Sequence, residues 1–349
     1  MLKDLYLPAE WEQQSLVMLT WPHQATDWQP YLREITETYI QMADAITRHE
    51  ALVIATPHPI QVGALLGGRL SKEQMTNVFI YYCKTNDTWA RDHGPITIKD
   101  RGEGKKTLLD FRFNGWGEKF EADLDNKITK TLFEEGAFDT EETGTPRLVD
   151  NDDFVLEGGS IESDGQGTVF TTEHCLMAPN RNQPLSKEEI ESELKYRLKA
   201  KRIVWLTHGV IEGDDTDGHI DTIVRLAPDN TILYHKYDDK NDAAYQDFIL
   251  LEEELKALRT IDGEPYKLIP LYAPKAIYDG EDRLPATYAN FLVINEAVLV
   301  PTYGQAEYDD MACKAVAQAF TDREIIPVDS QTIVRQHGSI HCCTMQLPK

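Results

Sequence analysis

Short runs of β-branched and aromatic residues occur in pairs along this chain, and each pair is joined by a turn. The turns contain Gly, Asp-Gly, Pro-Asp-Asn or Asn-Glu, which are typical connections of β-hairpins. Four such pairs lie at residues 95–113, 160–172, 221–235 and 289–304. Their starts are spaced by roughly 60–70 residues, a period typical of repeated supersecondary units. Segments 15–22 and 339–347 have a similar composition and are predicted to be further strands.

Amphipathic helices are predicted between these strands. In residues 31–49 apolar side chains recur at helical spacing, and these are Ile35, Tyr39, Met42, Ala43 and Ile46. Ser186 begins a capping box with Glu189 at the third position, so a helix should run from there to about Ala200. Further helices are predicted at residues 124–135, 242–258 and 307–320.

Strands and helices alternate over the whole chain, without a long linker rich in Pro, Gly or Ser. We therefore predict an α/β protein in which residues 1–349 form one domain of about five β-β-α units. Because the first and last strands are free to pair, we expect the units to form a closed ring that resembles a propeller.

The composition is that of an ordinary globular protein, with 41% hydrophobic and 27% charged residues among 349, which excludes a disordered chain. Lys and Arg number 35 against 59 Asp and Glu, and the net charge is −24. This acidity argues against nucleic acid and anionic membranes as partners and would attract a cationic substrate, although it could equally serve only solubility. No segment is apolar enough for a membrane span or a signal peptide, so we expect a cytoplasmic location.

The five cysteines are odd in number and widely spaced, and none forms a C-x-x-C pair. They are Cys83, Cys175, Cys313, Cys342 and Cys343. This spacing argues against a zinc site and against a redox pair. We expect reduced thiols, no metal and no cofactor, and one of the thiols could be a nucleophile.

Polar clusters border the predicted hairpins. They are TWARDHGP at residues 88–95, FVLEGGS at 154–160, DGHIDT at 217–222 and HGSIHCCT at 337–344. Together they hold Asp92, Glu157, Asp221, His219 and a thiol. If the third cluster is extended, His219 and Asp221 point to the same face. The pair could then line one pocket, lie on the surface or bind a metal, although no second histidine pair has ligand spacing.

A strand at residues 339–344 would turn Cys342 away from the neighbouring His341. A base for this thiol would then have to come from elsewhere, and His219 is the candidate. The alternative is that Cys342 is inert packing, since a thiol needs an activating environment to react.

Carboxylates beside an aromatic ring suit a planar cation such as guanidinium, because carboxylates bind it bidentately and the ring adds cation–π attraction. Asp92 and Trp89 offer this combination. Alternatively, Trp89 is core packing and Asp92 forms a salt bridge with Arg91.

The clusters WARDHGP, FNGWG, LEGG, GHID, ATYANF and SIHC, in this order, resemble the agmatine deiminase family, which includes the Porphyromonas-type peptidylarginine deiminases. The resemblance covers nearly the whole chain. It implies the pentein fold, an α/β propeller of five pseudo-symmetric ββαβ units around a central site, in one catalytic domain. It also implies hydrolysis of a guanidinium group without metal or cofactor, through a covalent thiouronium on cysteine.

The resemblance implies a role for each matching residue: Asp92 and Asp221 clamp the guanidinium, Trp89 forms a pocket wall, Glu157 contacts substrate and histidine, His219 is the general acid and base, and Cys342 is the nucleophile. The sequence departs from the family's GGGNIHC, because Gln336, His337 and Ser339 replace two glycines and the asparagine. The loop that covers the substrate tail is therefore expected to differ.

The implied activity is hydrolysis of agmatine to N-carbamoylputrescine and ammonia, a step of putrescine and polyamine biosynthesis. Two alternatives stay open: deimination of another guanidine, such as free or peptidyl arginine, and non-catalytic binding of a guanidine or polyamine. The expected partner is a small cationic guanidine, and a homo-oligomer is possible.

Overall fold

The computed structural model describes residues 4–140 and 144–349, so residues 1–3 and 141–143 of the predicted domain lie outside the described part. The strands are β1 Leu5–Tyr6, β2 Gln14–Thr20, β3 Ala51–Thr56, β4 Val78–Tyr82, β5 Ile96–Asp100, β6 Lys106–Arg112, β7 Arg147–Val155, β8 Ile161–Ser163, β9 Thr168–Thr172, β10 Arg202–Leu206, β11 Val224–Ala227, β12 Thr231–Lys236, β13 Lys267–Tyr272, β14 Ile277–Asp279, β15 Asp282–Leu284, β16 Leu292–Ile294, β17 Ala297–Thr302, β18 Glu324–Asp329 and β19 Thr344–Pro348.

The α-helices are α1 Leu32–Thr47, α2 Pro59–Gly67, α3 Lys72–Met75, α4 Ala90–His93, α5 Gly115–Glu118, α6 Ile128–Glu134, α7 Glu173–Leu176, α8 Lys187–Leu198, α9 Tyr245–Ala257 and α10 Ala306–Ala319. Short 3-10 helices lie at Gln29–Tyr31, Asp125–Lys127, Gly158–Ser160, Ile220–Thr222 and Ile333–Gln336. Over the residues described, no helix combines the length and the apolar character needed to cross a membrane.

Within the described chain, five sheets repeat one arrangement: an antiparallel pair of strands, then a helix, then a third strand parallel to the second. Four of them are β5-β6-β7, β8-β9-β10, β11-β12-β13 and β16-β17-β18. The crossover helices are α6, α8, α9 and α10, as a parallel connection requires. All four predicted hairpins are therefore confirmed.

The fifth sheet joins the two ends of the described chain. β19 runs antiparallel to β2, with Met345 opposite Met18, and β3 and β4 continue the sheet in parallel. The predicted pairing of the first and last strands is confirmed. However, β19 begins only at Thr344 rather than at residue 339.

Helix α1 buries the apolar side chains that its spacing singles out: Ile35, Tyr39, Met42, Ala43 and Ile46. These side chains belong to a core cluster that also contains Trp89, Trp116, Cys342 and Cys343. The core packed on α1 is therefore continuous with the region that carries the candidate nucleophile.

Helix α8 begins as its sequence predicts. The Ser186 side chain accepts from the backbone N–H of Glu189, and the Glu189 carboxylate accepts from the N–H of Ser186. The helix ends at Leu198, close to the predicted Ala200. The helix predicted at residues 124–135 is shorter, because 125–127 form a 3-10 turn before α6.

Replacing Ser186 tests its predicted role as the cap of α8. Ser186→Ala should lower the free energy of unfolding by about 1 kcal/mol, because the N–H of Glu189 loses its acceptor. Ser192→Ala, an exposed change in the same helix, is the matched control and should have little effect. Denaturant unfolding of both variants measures the difference, and equal midpoints would contradict the prediction.

Candidate active site

A cavity of about 320 Å³ opens between the loops that precede several of the sheets, a size typical of small-ligand sites. Its lining side chains include the carboxylates Asp27, Asp87, Asp92 and Asp215, the aromatic rings Tyr31, Trp89, Trp116 and Phe120, and the thiol of Cys342. Acids and aromatic rings thus surround one buried thiol.

The predicted site residues share one position in the fold. Each lies just before the first strand of a sheet: Asp92 before β5, Glu157 before β8, His219 and Asp221 before β11, and Cys342 before β19. The remaining repeat places Asn290 just before β16, and its side chain accepts from the backbone N–H of Cys342 at 3.1 Å. Asn290 was missed as a site residue, although the regular spacing of the hairpins could have identified it.

Cys342 lies in a turn, so the strand predicted at residues 339–344 is wrong there. The N–H groups of Cys343 and Thr344 donate to the carbonyl groups of Ile340 and His341, and this closes the chain into a turn instead of alternating its side chains. His341 nevertheless does not contact the thiol, because both its ring nitrogens face carboxylates.

Burial raises the pKa of the Cys342 thiol well above its ordinary value, and the nearby carboxylates of Asp221 and Asp92 raise it further. The Sγ atom lies 3.8 Å from Oδ2 of Asp221. A cation bound to the two carboxylates would cancel their effect and favour the thiolate.

Asp92 lies in α4, and its carboxylate is fixed by two donors from other segments of the chain. Its Oδ2 accepts from the indole of Trp116 at 3.0 Å, and its Oδ1 accepts from the backbone N–H of Gly159 at 3.1 Å. Burial raises its pKa to about 6, although the nearby His219 acts in the opposite direction. Asp92 does not pair with Arg91, whose guanidinium reaches the carbonyl of His341 instead.

His219 and Asp221 lie at a 3-10 turn rather than in an extended segment, so the predicted reason for their proximity is wrong. Their side chains nevertheless meet around Gly159. A Cβ atom at Gly159 would lie 2.6 Å from Nδ1 of His219, 2.9 Å from Oδ1 of Asp92 and 3.1 Å from Oδ2 of Asp221. Only a residue without a side chain fits between these three groups.

His219 is completely buried, and neither ring nitrogen has a hydrogen-bond partner among the described residues. Burial alone would lower its pKa, but the neighbouring Asp92, Cys175 and Glu157 raise it to about 10. The imidazole is therefore protonated at neutral pH and can donate a proton to a bound molecule.

Asp221 is also completely buried. Burial would raise its pKa, but the hydrogen bond and charge of His341, with further help from His219 and Arg225, hold that pKa below its ordinary value. Oδ2 contacts Nδ1 of His341 at 2.7 Å, whereas Oδ1 has no partner among the described residues. Asp221 thus presents an ionised oxygen that can accept from a ligand.

Glu157 is held by a buried arginine that the sequence did not single out. Nε of Arg181 donates to its Oε1 at 3.0 Å, while Oε2 has no partner in the described chain. Arg181 also donates to the Asp217 carboxylate and the carbonyl of Thr216. Glu157 is therefore tied to the segment that precedes His219.

Trp89 is one of the residues that line the cavity. Its indole donates to Asp87 at 3.0 Å, and a Cβ atom at Gly338 would lie 2.1 Å from its ring. The backbone of the loop at residues 336–338 thus packs directly on this ring.

Trp116 was missed as a site residue, although FNGWG was noted as a motif. The four residues of the short segment α5, 115–118, all have positive φ and so form a left-handed turn rather than a regular α-helix, and Trp116 itself has φ 57° and ψ 50°. A bulky residue in this region is strained, by about 1–3 kcal/mol, and such strain clusters at functional sites. The turn carries the indole to Asp92.

In the part of the chain that the structure describes, two groups of side chains bring possible metal-ligand atoms within 4.8 Å of one another: Glu157 with Cys175 and His219, and Glu10 with Glu162 and His341. In the first, Arg181 donates to the glutamate, and in the second Arg225 pairs with both glutamates. A guanidinium at this distance opposes a divalent cation. The expectation of a metal-free site stays a prediction.

Cys343, next to the candidate nucleophile, packs in the core. Burial raises the pKa of its thiol, and it does not line the cavity. Packing is the role expected for it.

Comparisons with known proteins agree with this geometry. A family model described as Porphyromonas-type peptidyl-arginine deiminase matches residues 6–348. An agmatine deiminase of Medicago truncatula is 30% identical over 98% of this chain and 96% of its own.

Two solved structures each cover 99% of this chain. A Porphyromonas gingivalis protein provisionally named arginine deiminase is 46% identical, with 99% of its chain covered and a TM-score of 0.92. A substrate-bound agmatine deiminase of C. jejuni is 37% identical, with 96% covered and a TM-score of 0.88.

A more distant likeness concerns the fold alone. A cyanobacterial arginine dihydrolase is 12% identical, with a TM-score of 0.50 over 97% of this chain and 39% of its own. The α/β fold of this chain is therefore similar to that of this dihydrolase. With the family model covering nearly all of its length, the chain belongs to the Porphyromonas-type peptidyl-arginine deiminase family.

Proposed function

We propose that this protein is an agmatine deiminase, which hydrolyses agmatine to N-carbamoylputrescine and ammonia and thereby serves putrescine and polyamine biosynthesis. It is a hydrolase that acts on C–N bonds in linear amidines. The observation that carries the proposal is the meeting of Cys342, Asp92, His219 and Asp221, of which Asp92 and Cys342 line an acidic cavity. Such a set binds a planar cation and places a nucleophile beside it.

The carboxylates of Asp92 and Asp221 bind the guanidinium through charge-assisted hydrogen bonds and hold its carbon against Sγ of Cys342. Their charges are then neutralised, so the thiol ionises more readily. The thiolate attacks the guanidinium carbon and forms a tetrahedral adduct. This step converts an unreactive, resonance-stabilised cation into a neutral centre that can lose an amine.

His219 moves the protons of the two remaining steps. As an imidazolium it gives a proton to the departing amine, so that ammonia leaves and a thiouronium remains on Cys342. As a neutral base it then takes a proton from water, and the hydroxide adds to the thiouronium carbon. Collapse of this second adduct breaks the C–S bond and restores the thiolate, and the hydroxyl proton passes to solvent as the ureido product leaves.

The charges of the cavity favour a substrate with a second cation over one with a carboxylate. Asp27, Asp87 and Asp215 line it in addition to Asp92. Among the described residues Arg335 is the one arginine that lines the cavity, and it pairs at 2.9 Å with Asp279, which lies outside the lining. Agmatine carries an ammonium group where arginine also carries a carboxylate, so these acids favour agmatine.

Deimination of arginine is the second candidate, and one observation favours it. Arg335 lies at the cavity, stacked 3.8 Å over the ring of Tyr31, and it could receive a carboxylate if it released Asp279. Arg283, by contrast, pairs with Asp242 and lies away from the cavity lining.

The proposal extends to the architecture. The five sheets of like order, each with a site residue just before its first strand, support a five-unit propeller around the site. Residues 1–349 would then be a single catalytic domain.

A panel of guanidines tests the function. The protein should release ammonia from agmatine with a higher kcat/KM than from butylguanidine, which has the same length without the ammonium group, and higher still than from arginine or an arginyl peptide. Preference for arginine would support the second candidate instead. Binding without ammonia release from any guanidine would refute a deiminase.

Substitution of the paired cysteines tests the nucleophile. Cys342→Ser should abolish turnover of agmatine, because a hydroxyl at this site ionises far less readily than a thiol. Cys343→Ser is the matched control and should keep most of the activity, since this thiol packs away from the cavity. Intact-protein mass spectrometry should find the covalent adduct on Cys342 only. Loss of activity in Cys343→Ser alone would reverse the assignment.

His337 stands where the family has a glycine, and its substitution tests the role of the cavity charges. Its Nδ1 lies 3.0 Å from the Asp215 carboxylate and 2.6 Å from the carbonyl of Gly213, and the contact with Asp215 raises its pKa. At a pH below this raised value, the imidazolium repels an ammonium group and occupies Asp215. His337→Gly should therefore raise the kcat/KM ratio of agmatine to butylguanidine several-fold. Loosening of the loop affects both substrates alike, so an unchanged ratio would count against the charge argument. Gly tolerates the φ of 64° found here.

A further inference from the structure

His341 lies buried between two carboxylates, one on each side of its ring. Nδ1 is 2.7 Å from Oδ2 of Asp221, and Nε2 is 2.8 Å from Oε2 of Glu10. The side chain is 1% exposed. An ionised carboxylate can accept hydrogen bonds but cannot donate them. Both ring nitrogens of His341 must therefore donate, and the ring that satisfies both contacts is an imidazolium.

Glu10 is a fixed end of this chain of contacts. Its Oε2 also accepts from Arg225 at 2.6 Å, and its Oε1 accepts from the backbone N–H of Val293 at 3.0 Å. Arg225 in turn pairs with Glu162. The imidazolium is therefore anchored on the side away from Asp221 and cannot turn without breaking several buried contacts.

We propose that His341 is a positioning residue of the reaction: as a buried cation anchored by Glu10, it keeps Asp221 ionised and fixes the orientation of its carboxylate toward the guanidinium beside Cys342. The inference rests on the proposed function, because the ligand of Asp221 is the guanidinium of the substrate. Oδ2 is held by His341, and Oδ1 is left without a partner among the described residues.

The same turn holds the other clamp as well. The backbone N–H of Arg91 donates to the carbonyl of Cys342 at 3.1 Å, and its Nε donates to the carbonyl of His341 at 3.3 Å. Asp92 follows Arg91 directly in the chain. The turn at residues 340–343 thus carries the nucleophile, contacts the chain beside Asp92 and holds Asp221 through a side chain, which sets the two clamps relative to the sulfur.

Loss of the imidazolium should change how Asp221 responds to pH. Asp221 is faced by these charged or titratable groups: His341, His219, Arg225, Arg91, Asp92 and Cys342. Without the imidazolium of His341, the buried Asp221 carboxylate loses its nearest cation, so its pKa rises. Because only the ionised form binds a guanidinium well, binding should fail at a higher pH as the solution is acidified.

The experiment measures agmatine binding by calorimetry across pH in a Cys342→Ala background, in which turnover is removed. His341→Gln keeps a donor but no charge. It should weaken binding roughly 10-fold near neutral pH, the loss expected for a charged hydrogen-bond partner, and move the acid limb of binding upward by about one pH unit. His235→Gln is the matched control, since His235 is also buried but hydrogen-bonds the hydroxyl of Thr287 and packs on the rings of Tyr237 and Phe248. It should leave the acid limb in place.

The outcomes separate this inference from the proposed function. If the Cys342→Ala protein with His341 intact binds agmatine, but His341→Gln gives the same affinity and acid limb, the positioning role is refuted. It is equally refuted if His341→Gln weakens binding uniformly at all pH and His235→Gln does the same, because that pattern is structural. If the protein with His341 intact binds no guanidine at all, the proposed function itself fails.

Discussion

Burial of several carboxylates around one thiol is the constraint on which this structure depends. Asp92, Asp221 and Glu157 are all withdrawn from water, and an isolated buried carboxylate would take up a proton rather than stay charged. Each therefore has its own donor: an indole and a backbone N–H for Asp92, His341 for Asp221 and Arg181 for Glu157. Removal of one partner from such a pair leaves an uncompensated charge, which is far more destabilising than the pair is stabilising.

The repeated sheets explain how a chain assembles so many polar groups at one place. In the described chain each repeat brings a short loop or turn to the same end of its first strand, and the loops before β5, β11 and β19 line the cavity. The framework below is apolar and continuous, as the cluster from α1 to Cys342 shows. A rigid framework of this kind allows loops to differ in sequence without moving the groups at their base. The change to Gln336, His337 and Ser339 lies in such a loop.

The sequence predicted the parts of the fold that depend on local patterns. The hairpins, the apolar face of α1 and the cap at Ser186 follow from spacing and turn chemistry, and all were found. The turn at 340–343 was not predicted, because alternation of apolar and polar residues over five positions resembles a strand until tertiary contacts bend it. Arg181 and Glu10 escaped notice for another reason. Their partners lie far away in sequence, and no local pattern records a distant ion pair.

Gly159 has a consequence for how such a site can change over evolutionary time. Even the smallest side chain at this position would collide with a histidine and two acids. Single substitutions of Gly159 therefore cannot reshape the buried part of the site. New preferences must instead arise at the entrance, where the loop around His337 and the segment around Asp215 meet. Variant libraries intended to change substrate selectivity should therefore diversify those entrance positions and leave the buried residues around Gly159 unchanged. The residues that carry the reaction are then the same in every variant.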